Sequence, residues 1–117
     1  MKKTLARSSK LEARSLNKIK DFVLGKHYDL SVAFLPPQKM RAVTRRTKGK
    51  SKVSNVLAFP LSKNSGEILI CRAAAKPYTS EYLFIHGLLH LKGLRHSGTM
   101  EGEEDRLLKR FGFARNG

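Results

Sequence analysis

The spacing of apolar residues in this chain changes from a helical period to strand-like alternation and then back to a helical period. The first apolar set recurs every three to five residues and comprises Leu11, Leu16, Ile19, Phe22 and Val23. This spacing predicts an amphipathic helix with one buried face. Ser8 and Ser9 precede the set and Gly25 follows it, which are typical start and stop signals of a helix.

The middle of the chain predicts short β-strands. The candidate strands are residues 28–35, 40–44, 55–59 and 67–71. In the first, Leu30, Val32 and Phe34 alternate with polar or small residues and should point inward, and two prolines then stop the strand. We expect Pro60 to close the third strand. Residues 44–53 are basic and contain Gly49, which favours a loop, and residues 72–77 could hold one helical turn.

The second half of the chain predicts two helices. Thr79 or Ser80 can cap the first, with Glu81 in its first turn, and this helix is apolar over most of its surface. It should therefore be buried. The second spans roughly residues 100–111, with acidic residues early and basic residues late, which matches the helix dipole. The order of elements predicts an α+β fold, with a single small mixed sheet of about four strands packed with helices.

Composition narrows the class of protein. A chain of 117 residues with 40% hydrophobic residues predicts a single globular domain, residues 1–117. No apolar run approaches a membrane span of about 18 residues, and the charged start leads into no apolar signal region. Cys71 is the only cysteine, so no internal disulfide can form, which fits a cytoplasmic protein.

The charge of the chain predicts a polyanionic partner. Lys and Arg number 24 against 9 Asp and Glu, a formal net charge of +15, and residues 30–66 contain no acidic residue. The basic residues of that span are Lys39, Arg41, Arg45, Arg46, Lys48, Lys50, Lys52 and Lys63. This density of basic residues favours nucleic-acid binding over a surface of ordinary solvated lysines. An anionic membrane is the lesser alternative, because no basic amphipathic helix with a clean apolar face is evident.

Three of the four histidines predict a metal site on the buried helix in the C-terminal half. His86 and His90 are four residues apart, so they project from one face of a helix. Gly93 can end that helix in a left-handed conformation, after which the chain can return His96 to the same point. Three imidazoles with an open fourth position are typical of catalytic zinc. The alternative is a set of hydrogen-bonded histidines whose spacing is coincidental; His27 is predicted to be an ordinary surface residue.

The spacing His-x-x-x-His-x-x-Gly-x-x-His is that of metzincin zinc proteases, but those proteases carry a Glu directly after the first histidine. Here that residue is Gly87, so peptidase activity by the usual route is disfavoured. Residues 101–105 contain four carboxylates. They are most simply the dipole-matched start of the last helix. One of them could also orient a metal-binding imidazole.

The histidine segment resembles the H-G-x-L-H-L-x-G-x-D-H signature of the YbeY family of bacterial endoribonucleases. Residues 54–60 (Ser-Asn-Val-Leu-Ala-Phe-Pro) are similar to that family's T-D/N-V-L-S-F-P strand. Residues 66–71 (Gly-Glu-Ile-Leu-Ile-Cys) are similar to its G-D-I-x-I-C strand, and Met100 and Glu104 fall where it carries an M-x-x-x-E helix. The similarity extends from about residue 30 to the end of the chain.

The resemblance implies a single-domain α+β metalloprotein with one zinc-type ion on His86, His90 and His96. It implies partnership with the ribosome and action in ribosomal RNA maturation, especially at the 3′ end of the small-subunit RNA, and in ribosome quality control. Three positions depart from the family pattern. Arg95 replaces the Asp before the third histidine, Lys48 replaces an Arg in the loop before V-L-S-F-P, and Ala58 replaces a Ser.

The leading hypothesis is a metal-dependent endoribonuclease acting on ribosomal RNA. Lys48 would stabilise charge that develops on the phosphoryl oxygens, and the residues that would hold the RNA backbone are Lys39, Arg41, Arg45, Arg46, Lys50 and Lys52. The alternative, motivated by the three departures, is a non-catalytic RNA- or ribosome-binding assembly factor with a structural or vestigial metal. A metallopeptidase is the third class.

Overall fold

A computed structural model describes residues 13–94 and 98–117 of the chain. Four α-helices, three strands and one short 3-10 turn follow one another within those residues. In chain order they are α1 (Ala13–Leu24), β1 (Asp29–Phe34), α2 (Pro37–Lys48), β2 (Val56–Ser62), β3 (Ser65–Ile70), the 3-10 turn (Arg72–Ala74), α3 (Ser80–Lys92) and α4 (Gly98–Phe111). No helix in the described residues is long and apolar enough to cross a membrane. The predicted capping residues Ser8 and Ser9, like Leu11, lie outside the described residues.

The three strands form one mixed sheet with β3 in the centre. β3 pairs in parallel with β1 and antiparallel with β2, so the α+β class and the mixed sheet are confirmed. β2 runs past Pro60, which pairs with Gly66, to Ser62, and the expected stop at Pro60 is therefore wrong. An edge strand accepts a proline because the missing N–H can face away from the sheet.

The prediction of about four strands is wrong, because residues 40–44 belong to helix α2. Pro37 begins this helix, and Gly49 ends it in a left-handed conformation at φ 69°. Met40 and Thr44, one turn apart, are its buried residues. The Thr44 hydroxyl donates to the Met40 carbonyl oxygen at 2.9 Å and contacts the Ser54 hydroxyl at 2.8 Å. The predicted loop over residues 44–53 is therefore helical up to Lys48.

The core lies between the sheet and α3, which is buried along most of its length as predicted. The buried apolar side chains of α3 are Tyr82, Leu83, Phe84, Ile85, Leu88 and Leu89. Leu16, Ile19 and Val23 of α1 pack in the same cluster. The prediction that Phe22 lies on the inner face of α1 is wrong, because its side chain is 53% exposed. Its ring instead meets the edge of Phe111 and lies under the guanidinium of Arg110.

Candidate metal centre

Helix α3 brings His86 and His90 together at one edge of the core. Thr79 caps the helix, accepting a hydrogen bond from the backbone N–H of Tyr82 at 3.0 Å, and Gly93 ends it at φ 108°. Both ends therefore agree with the sequence prediction. The two imidazoles are half-buried, and their Nε2 atoms are 3.1 Å apart. Arg95 and His96, the predicted third ligand, lie outside the described residues.

The hydrogen bond at Nδ1 of each ring favours one tautomer of the imidazole. His86 Nδ1 lies 2.6 Å from Glu104 Oε2, and His90 Nδ1 lies 3.1 Å from the carbonyl oxygen of Leu94. A carboxylate and a carbonyl accept hydrogen bonds, so each Nδ1 carries a proton, and in the neutral imidazole Nε2 then carries the lone pair. Both lone pairs are therefore directed to one place.

This donor pair fits a metal ion. Two nitrogen lone pairs 3.1 Å apart repel each other unless a proton or a metal ion lies between them. Zn–N bonds of about 2.0–2.1 Å in a tetrahedron separate two nitrogens by about 3.3–3.4 Å, close to the separation found here. Within residues 13–94 and 98–117, no three His, Cys, Asp or Glu side chains form a metal-binding group. The third ligand of the predicted set, His96, falls in the interval between those ranges.

Glu104 of α4 orients the His86 ring. Its carboxylate is only 2% exposed and accepts hydrogen bonds from His86, from the Tyr82 hydroxyl at 3.1 Å and from Arg115 Nη1 at 3.3 Å. Burial and the negative charge of Glu104 raise the pKa of Tyr82 to about 12, so this phenol remains a donor at neutral pH. Glu104 thus fills the role of imidazole acceptor that the sequence left open among residues 101–105.

Arg115 is a functional contact that sequence reasoning missed. It forms ion pairs with Glu104 and Asp105, and its guanidinium lies 4.7 Å from the centre of the Tyr82 ring. The hydrogen bond with Asp105 raises the pKa of Arg115 further above its ordinary value. The segment that carries it folds back onto the start of α3, where the backbone N–H of Thr79 donates to the Arg115 carbonyl oxygen at 2.9 Å. No local sequence signal predicts such a return.

Gly87 packs helix α3 against the central strand. A Cβ atom at this position would lie 3.1–3.2 Å from three side-chain atoms of Ile68. A larger side chain would therefore push the helix away from β3. The glutamate of zinc peptidases has no room here, which agrees with the sequence argument against peptidase chemistry.

Lys48 shares a cavity with the two histidines. The cavity measures about 480 Å³ and is lined by Lys48, residues 55–58, His86, Gly87 and His90. Lys48 reaches it because α2 ends there. Ala58, the site of the departure from Ser, forms part of the same wall. The structure thus brings together two of the predicted metal ligands and the predicted catalytic lysine.

The remaining basic candidates fall into two groups. Lys50 and Lys52 line a neighbouring cavity of about 320 Å³, which also contains Lys48. Lys39, Arg41, Arg45 and Arg46 are exposed on α2 and do not line these two cavities. His27 is exposed, as predicted.

Comparison with known proteins gives the family. The family model described as Endoribonuclease YbeY matches residues 2–112. This chain belongs to the YbeY family. A relative named Endoribonuclease YbeY from Chromohalobacter salexigens is 34% identical over 110 residues, covering 75% of this chain and 71% of the relative. One of the same name from Neisseria meningitidis serogroup B is 35% identical over 113 residues, covering 73% and 66%.

A solved structure also resembles this YbeY-family chain. The solution structure of TM1509 from Thermotoga maritima matches with a TM-score of 0.57 and 23% identity, covering 84% of this chain and 77% of that one. At this identity the match supports the fold alone. Family membership confirms the resemblance that the histidine segment and the two strand motifs indicated.

Proposed function

We propose that this YbeY-family chain is a metal-dependent endoribonuclease that acts in ribosomal RNA processing. The observation that carries the proposal is the cavity that Lys48, His86 and His90 line together, in a chain whose relatives are named endoribonucleases. A pair of nitrogen ligands for a metal and a cation for a phosphate are two of the parts that metal-dependent hydrolysis of a phosphodiester requires.

His86, His90 and His96 would hold one zinc ion. When bound, the ion supplies Lewis-acid chemistry, which lowers the pKa of a water ligand toward about 7. Glu104 and the Leu94 carbonyl hold the imidazoles in the tautomer that binds a metal, and Gly93 lets the chain turn toward His96. The chemistry of these donors supports zinc without excluding other divalent ions of similar preference.

The basic residues would position the RNA. Lys48 would neutralise charge on the phosphoryl oxygens as a point charge, without the planar two-point contact that an arginine makes. Lys50 and Lys52, in the adjoining cavity, would hold the next phosphates of the backbone. Lys39, Arg41, Arg45 and Arg46, exposed on α2, would extend this contact without reading sequence.

We further propose a cytoplasmic protein whose substrate is the 3′ end of small-subunit ribosomal RNA, with a role in ribosome quality control. The family resemblance motivates this assignment. The formal net charge of +15 and the single buried cysteine are compatible with an RNA-rich, reducing compartment.

The test is to measure bound zinc by mass spectrometry and RNA cleavage for the wild type, His90→Ala and His27→Ala. We expect one zinc per chain and cleavage in the wild type, with both lost in His90→Ala. The exposed His27→Ala variant should match the wild type. An active, metal-free wild type whose activity survives His90→Ala would refute the proposal.

A non-catalytic assembly factor is not favoured, because the matched family and its named relatives are endoribonucleases. Such a factor would bind RNA with an affinity that falls steeply with salt, yet show no turnover with any added metal. A metallopeptidase is disfavoured by the contact between Gly87 and Ile68.

A further inference from the structure

A third cavity adjoins the candidate metal centre at His86, and its lining contains none of the lysines. It measures about 450 Å³, and its polar and aromatic lining consists of Asn55, Tyr78, Tyr82, His86, Glu101 and Glu104. All three cavities share Asn55 and Val56 at the start of β2, and His86 borders both the central cavity and this one. The three cavities therefore meet at the start of β2.

Two of these cavities differ in charge. The lining of the cavity of about 320 Å³, called the first here, includes Lys48, Lys50 and Lys52 and no carboxylate. The lining of the third includes Glu101 and Glu104 and no lysine or arginine. Arg115 pairs with Glu104, so the exposed Glu101 supplies the negative charge of the third cavity. The cavity with the lysines therefore attracts a phosphate more strongly than the third cavity does.

We propose that the third cavity binds one unpaired nucleobase of the RNA, that of the nucleotide next to the phosphate that reaches His86 and His90. This proposal rests on the proposed function and adds a determinant of sequence preference to it. A nucleobase is neutral and planar, and it carries hydrogen-bond donors at its edge. These properties suit a cavity with aromatic walls and carboxylates.

Tyr78 is the stacking surface. Its ring is half-exposed and packs against the Tyr82 ring, with centroids 4.8 Å apart. Its backbone pairs with Asn116, and its N–H donates to the Ala75 carbonyl oxygen at 2.9 Å. The ring is thus held in place before RNA arrives. Stacking on such a ring typically contributes about tenfold or more in affinity per base.

Glu101 would select the base. It is exposed at the cavity, in the first turn of α4, whereas Glu104 is buried and engaged by His86, Tyr82 and Arg115. A carboxylate accepts hydrogen bonds only, so it favours bases with an exocyclic amine, which are guanine, adenine and cytosine. Uracil flanks its single ring N–H with two carbonyl oxygens, which a carboxylate repels. We therefore expect an amine-bearing base, and not uracil, in this cavity.

The test measures binding, so it does not depend on cleavage. Fluorescein-labelled hexamers of adenylate, cytidylate, uridylate and abasic ribose phosphate are titrated by anisotropy in moderate salt and excess chelator, so that the RNA stays intact. A parallel incubation with zinc measures cleavage. The proteins are the wild type, Tyr78→Ala, Tyr78→Phe and Glu101→Gln. Glu103→Gln is the matched control, because Glu103 lies on the same helix and pairs with Arg106 at the surface. Thermal unfolding verifies that each variant is folded.

The wild type should bind adenylate and cytidylate hexamers roughly tenfold more tightly than the abasic hexamer. Tyr78→Ala should lose this difference while binding the abasic hexamer as before, and Tyr78→Phe should retain it. Glu101→Gln should reduce the preference for adenylate and cytidylate over uridylate, and Glu103→Gln should not. Equal binding of base-bearing and abasic hexamers by the wild type, or an unchanged preference in Glu101→Gln, would overturn the proposal. RNA binding without any cleavage would instead contradict the proposed function alone.

Discussion

Replacement of Glu104 by Gln should weaken zinc binding more than any other substitution outside the ligands themselves. The carboxylate is 2% exposed and receives three donors, with the shortest contact, 2.6 Å, to His86 Nδ1. Glutamine has the same shape, but its amide offers one acceptor oxygen and places an NH2 group where the second oxygen was. At least one of the three donors is then left facing another donor, and the negative charge that raises the basicity of the imidazole is lost.

The expected magnitude follows from these contacts. Loss of the partner of a metal-binding imidazole typically lowers metal affinity by about 10–100-fold, which is about 1.4–2.7 kcal/mol. A buried donor without an acceptor costs about 1–3 kcal/mol of stability in addition. We therefore expect Glu104→Gln to bind zinc about 10–100 times more weakly and to unfold at lower denaturant concentration.

Competition against a chromophoric zinc chelator measures the affinity, and urea unfolding in excess chelator measures the stability of the metal-free protein. Glu103→Gln is again the control, because its side chain is partly exposed and pairs only with Arg106 among the described contacts. An unchanged zinc affinity in a folded Glu104→Gln variant would refute the view that this carboxylate holds His86 for a metal.

Other variants test the packing, the cation and the buried phenol. Gly87→Ala should destabilise the protein by about 1–3 kcal/mol in urea unfolding, because its Cβ would press on Ile68. Gly102→Ala, with open space on α4, should stabilise the protein by about 0.5–1 kcal/mol. Equal effects of the two substitutions would contradict the packing argument. Lys48→Ala should lower the RNA cleavage rate at least about tenfold. This loss is smaller than the one that removal of a buried transition-state donor causes, because Lys48 is exposed. Lys63→Ala, at an exposed turn, should change the rate little. The pKa of Tyr82 is raised from 10 to about 12, so the folded protein holds the phenol proton more tightly than the unfolded chain does. The stability that this provides is present below pH 10 and is lost as the pH rises from 10 to 12. Urea unfolding across that interval should show a smaller loss for Tyr82→Phe than for the wild type, and identical losses would refute the assignment.

The elements of the fold with a clear period were predictable, and α2 was not. Alternation identified β1, and the apolar surface and the cap at Thr79 identified α3. In α2 the apolar signal is limited to a few positions among many cations, so the local pattern predicts a strand and a basic loop. Pro37 at the first helical position and Gly49 beyond the last were the available signals. The helix forms despite the short apolar run at residues 40–44, which by itself predicts a strand.

The candidate site was predictable where its residues are near in sequence. The i, i+4 spacing on a buried helix placed His86 and His90 at one edge, and the acidic start of α4 contained their partner Glu104. Which of the four carboxylates faces His86 depends on how α4 packs against α3. The approach of Arg115 depends on contacts between residues 114–117 and the start of α3. Neither tertiary arrangement has a local sequence signature.

The most direct test of the central claim is an anomalous difference map, recorded at the zinc edge, from crystals of the zinc-loaded protein. The account predicts one peak per chain, about 2.0–2.1 Å from Nε2 of both His86 and His90 and at a similar distance from a nitrogen of His96. Zinc bound elsewhere, or a map with no peak between the two imidazoles at full zinc loading, would contradict it.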